Sequence, residues 1–168
     1  MPPNMKSSPG KRILAPMRKS NSQRLYRGAA ALLLGSAFNH FGDRILGVTI
    51  EAFSGGIGYF SPFWVLDLFL VPFLTGVLVS LIYGFGGKWL SYVPALIVRA
   101  ASYFAIANHL TPIAPGSSLM PLGWWGFYVI LAIEAAAIGG VIGEVMIKRT
   151  YGRSAPQKAT ESVPPIQR

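Results

Sequence analysis

The stretch Ser61–Leu110, SPFWVLDLFLVPFLTGVLVSLIYGFGGKWLSYVPALIVRAASYFAIANHL, decides the fold. It holds two apolar runs, Ser61–Gly84 and Lys88–His109, joined by the turn Gly84-Phe85-Gly86-Gly87-Lys88. A helix rises ~1.5 Å per residue, so about 20 residues cross a bilayer core, and each run is long enough. Apart from Lys88 in the turn, the only charges are Asp67 and Arg99, both placed where hydrocarbon is expected. The hairpin predicts two antiparallel membrane spans.

Composition agrees with that solvent. The chain has 168 residues, is 52% hydrophobic and has a mean hydropathy of +0.45. Only 12% of it is charged, whereas a soluble domain usually carries about 25%. The absence of cysteine excludes disulfides, thiolate nucleophiles and sulfur-ligated clusters. Nineteen glycines and thirteen prolines show no period, so a repeat architecture is not expected.

The net charge of +9 raises the question of nucleic acid. Placement argues otherwise. Thirteen of the fifteen Lys and Arg residues precede the first apolar run, follow the last, or sit in the hairpin turn. Four crossings put all thirteen on one side, which is the positive-inside pattern. Nucleic acid is therefore not the expected partner, and anionic lipid headgroups are the expected contact of the basic tails.

The remaining spans follow from the same logic. Residues 1–24 are basic, contain Pro and Ser and lack any acid, so they predict a disordered cytoplasmic tail. A transit peptide is opposed by Pro2, Pro3, Pro9 and Pro16. A signal peptide, with Ala29–Leu34 as its apolar region, would need an unusually long leader. The first span is placed at 25–46, the others at 62–84, 88–109 and 123–147. Residues 47–60 are expected to form an outer loop or a re-entrant piece, and 149–168 a second disordered cytoplasmic tail. The expected fold is all-α: a polytopic integral membrane protein, a four-helix transmembrane bundle over 25–148, in a plasma or inner membrane. Both termini are expected to be cytoplasmic.

Charges in hydrocarbon are costly and usually face the bundle interior. Arg99 and Glu134 sit near the middle of the third and fourth spans, so they are expected to pair, as a structural ion pair or in a transport path. Asp67 joins them as a transport candidate one turn inside its span. His40, Asp43, Arg44 and His109 lie near the outer ends of two spans and are expected to form an outer polar cluster. Ala132, Ala136, Gly139, Gly140 and Gly143 give the fourth span a small-residue surface suited to close helix packing. That surface is expected to pack within the bundle, with a homo-oligomer or membrane-protein partner as the second reading.

Catalytic signatures are missing. The segment Gly84–Trp89 lacks the spacing and Ser/Thr of a phosphate loop, and no His-Glu-x-x-His or Gly-x-Ser-x-Gly occurs. No enzymatic activity, cofactor or metal is expected. The function expected first is that of a non-enzymatic subunit or scaffold of a membrane complex; the alternative is a small transporter or ion-conducting protein using the midplane Arg99–Glu134 pair and the outer polar cluster.

Overall fold

The computed structural model describes residues 21–55 and 60–152, about three-quarters of them helical. The tails expected at 1–24 and 149–168 lie largely outside the described residues. Where they are described, both depart from expectation. Helix α1 begins at Asn21 and runs to Leu46, and the last helix, α5, runs from Leu122 through Gly152.

The second run is one continuous rod with a defect. Ser61 caps it, its Oγ accepting from the Trp64 N–H at 3.2 Å, and Pro62 takes the first-turn position where no N–H is needed. The rod comprises α2 (Pro62–Val65), a π turn (Leu66–Leu70) and α3 (Val71–Tyr83). The π turn has a local cause. Pro72 has no N–H to give Leu68, and its ring would press on that carbonyl. The chain answers with a wider turn, in which the Val71 N–H donates to Leu66 O.

Gly84 and Gly86 stop this rod at φ values of 91° and 90°, which side chains rarely tolerate. A 3-10 turn (Gly87–Trp89) follows, and then α4 (Val93–Ala107) with Pro94 in its first turn.

Three of these runs, Pro62–Tyr83, Gly87–Ala107 and Leu122–Thr150, are long and apolar enough to cross a membrane. Together they make this a membrane protein. Helix α1 is not among them, because Asn39, His40, Asp43 and Arg44 interrupt its far half. It still lies along the bundle. Gly28, Ala31, Gly35, Asn39 and Asp43 form one buried stripe at helical spacing, while Leu33, Leu34, Phe38, Phe41 and Ile45 face outward. A Cβ on Gly35 would lie 2.7 Å from Val79 Cγ2, and one on Gly42 would lie 2.6 Å from Val71 Cγ1. The helix therefore needs glycine to sit this close to α3.

The seam between α3 and α5 is closer still. A Cβ on Gly76 would collide with the Ala136 carbonyl, and one on Gly139 with the Phe73 carbonyl. Gly143 lies against Val77 and Ser80, Gly140 against Ser91, and Ala132 and Ala136 are fully buried. Small residues let the backbones meet, and Ser80 Oγ adds a hydrogen bond to Gly140 O at 2.8 Å.

The two ends of the bundle differ. At one, Arg24 and Arg27 of α1 gather with Leu81–Phe85 and Ile147 around a groove of about 480 Å³. At the other, strands β1 (Ala52–Phe53) and β2 (Ser118–Leu119) pair antiparallel, Ala52 opposite Leu119. The Met120 N–H donates to Glu51 O at 2.9 Å. Ile50, Trp64, Leu68, Met120 and Tyr128 pack beneath this ribbon. The described part of 47–60 is thus a pinned loop, with no re-entrant helix among its described residues.

Candidate functional site

Arg99 is the largest fully buried side chain among the described residues, with 2% of its surface exposed. Three carboxyl groups from three separate elements hold it. Nη2 donates to Asp43 Oδ1 of α1 and to Asp67 Oδ2 of the π turn, both at 3.0 Å. Nη1 donates to Glu51 Oε1 of the loop at 3.4 Å. Nη2 also approaches the Asp67 carbonyl at 3.3 Å. Asp67 and Glu51 are buried as deeply as the arginine, at 0% and 1% exposure.

The expected partner was different. Glu134 is exposed on the outer face of α5, and Arg99 forms no ion pair with it. Depth in the span matched, but direction around the helix did not. Ala132 and Ala136 turn inward to meet α3, and a residue two positions away lies on the opposite face. Asp67, expected only as a further transport candidate, is in direct contact with Arg99.

The outer polar cluster divides. His40, Asp43 and Arg44 line one cavity of about 680 Å³ between α1 and α4, together with Thr49, Glu51, Ser102 and Thr111. His109 lies apart, in a left-handed turn at φ 56°, beside Ile106, Pro112 and Leu119 in a smaller recess. Asp43 and Glu51 are shared: each touches Arg99 and each faces the cavity. Glu51 is the site residue that sequence reasoning missed. Its signal was a lone acid at the start of an otherwise uncharged loop, EAFSGGIGYF.

Electrostatics make this an acidic site. One guanidinium faces three carboxyls, so full ionisation would leave two negative charges in excess. Burial pushes the Glu51 carboxyl above its ordinary value of 4.5, against the opposing pull of Arg99. Two buried polar atoms, Asp67 Oδ1 and Arg99 Nε, have no hydrogen-bond partner. Among the described residues, no trio of His, Asp or Glu side chains is arranged to hold a metal ion. The arrangement can attract a cation into the cavity and exchange protons with it.

No family model, curated protein or solved structure matches this chain.

Proposed function

We propose that the protein is a small cation transporter or ion-conducting protein. In this reading it is a four-span bundle, with α1 as the fourth crossing and both termini on the cytoplasmic side of a plasma or inner membrane. The basic end formed around Arg24 and Arg27 favours that orientation, and it leaves the cavity facing outward. The basic tails then lie against anionic headgroups, at about 1 kcal/mol per base near the surface.

One observation carries the functional reading: Asp43 and Glu51 both hold Arg99 and both face the same cavity. A small cation entering there meets the excess of carboxyl charge and displaces a proton from it. Arg99 keeps the carboxyls positioned and prevents a bound cation from being held too tightly to leave.

The test is uptake of sodium, potassium and methylammonium into proteoliposomes, with internal pH followed by a trapped dye. Wild-type protein is expected to give cation-driven proton movement, and Asp43→Asn or Glu51→Gln to lower it at least tenfold in correctly folded protein. Glu134→Gln, away from the cavity, should leave it unchanged. Absence of movement in the wild type, or equal movement in Asp43→Asn, would overturn the reading. The alternative class, a subunit of a membrane complex, draws its support from Glu134.

A further inference from the structure

Helix α5 presents a lipid-facing stripe at helical spacing: Phe127, Ile130, Glu134, Ile138 and Val141, all exposed. Every member but one is apolar. Glu134 lies twelve residues after Leu122 and fourteen before Lys148, about 18 Å and 21 Å along the helix. It therefore sits near the middle of an apolar run that spans Leu122–Thr150. Ionisable side chains at that depth are expensive and normally turn into the bundle or meet a partner. This one does neither.

We propose that the α5 stripe is a docking surface for a transmembrane helix of another protein, one carrying a basic side chain at the same depth as Glu134. Charge complementarity selects that occupant. No base of this chain's described residues can serve. Arg99 is buried and held by three carboxyls. Arg24, Arg27, Lys148 and Arg149 belong to one end of the bundle, with Lys88 in the turn there, and Arg44 belongs to the other. A symmetric pairing with a second copy would set Glu134 beside another Glu134, like against like. A partner's Lys or Arg removes the charge from lipid altogether, and the flanking apolar residues supply the contact surface on either side. This inference is independent of the cavity and its function.

The probe is a polyleucine transmembrane peptide with one central lysine, carrying a fluorophore, mixed with labelled full-length protein in zwitterionic liposomes. Energy transfer is expected to show at least tenfold tighter association than with the same peptide carrying leucine at its centre. Glu134→Leu and Glu134→Gln should abolish that preference, and both should fold, because the side chain faces outward. Equal binding of the two peptides would overturn the proposal. So would wild-type self-association that disappears in Glu134→Leu, since the occupant would then be a second copy sharing a proton between two acids. A third measurement bears on the same point: the lysine peptide should slow labelling of Glu134 by dicyclohexylcarbodiimide, a lipid-soluble reagent for neutral carboxyls. Unchanged labelling would mean that Glu134 stays an isolated acid in lipid, and would also overturn the proposal.

Discussion

Two seams of this bundle are built on opposite principles. Along α3 and α5 the backbones meet, with Gly76 and Gly139 each pressed against a carbonyl of the facing helix. Along α1 and α4 the helices touch at one end, where Gly35 meets Pro94, and part at the other around Arg99 and the cavity. The first seam has no room for a side chain. The second is held by groups that would be intolerable unpaired. A helix pair in lipid has little hydrophobic drive to associate, so each seam needs its own reason to close. The glycines provide one through dispersion contact, and the ion cluster provides the other through charge. Only the second leaves space and chemistry behind.

Removing the arginine should break that contrast most severely. Arg99→Met leaves three carboxyls buried without their counter-charge, and loss of one partner of a buried pair costs about 3–5 kcal/mol. Denaturant titration of purified protein in micelles near neutral pH should show a loss of that size. The deficit should shrink toward pH 4, as the carboxyls take up protons. A loss that does not change with pH would mean that packing, and not charge, holds the α1–α4 seam.

An intermediate effect is expected at the other seam. Gly139→Val places a branched side chain where the Phe73 carbonyl lies, and overpacking of this kind costs about 1–3 kcal/mol or more. Its stability loss should be the same at pH 4 and pH 8, because no titratable group lines the contact. A pH-dependent loss would show that the two seams are coupled.

The smallest effect sharpens the role of Glu51. Burial holds its proton more tightly in the folded protein than in the unfolded chain. Between those two titration ranges the folded state binds more protons, so stability falls as pH rises. The contribution is complete below the unfolded value near 4.5 and is lost as pH passes through the raised folded one. Glu51→Gln cannot ionise. It should flatten this part of the pH–stability curve while changing stability at pH 4 by less than about 1.5 kcal/mol, the range of one hydrogen bond.

Much of this architecture was legible in the residues. Run length and the Gly-rich turn at 84–88 located the hairpin, and Arg99 and Asp67 announced themselves as charges in an apolar context. The small residues of α5 marked the face that meets α3. That same observation contained the correction to the expected ion pair, since an inward Ala132 and Ala136 oblige Glu134 to face outward. Residue spacing gives depth along a helix readily, but azimuth requires knowing which face is already occupied. Glu51 was harder. It reaches Arg99 across 48 positions of sequence, through a loop fixed by a two-residue ribbon with residues 118–119. No periodicity in so short a ribbon signals the pairing. Helix α1 remained ambiguous for a chemical reason, because the polar residues that weaken it as a membrane span are the ones that build the cavity wall.

The widened turn ahead of Pro72 has an effect on aim. One surplus residue in a helix rotates all that precedes it by about 100° relative to all that follows. After the defect, Thr75, Gly76 and Val79 face the neighbouring helices; within it, Asp67 points at the guanidinium. A proline that in most spans would only bend the rod here serves as an indexing step, letting one helix satisfy a tight glycine contact and an ionic one in different directions.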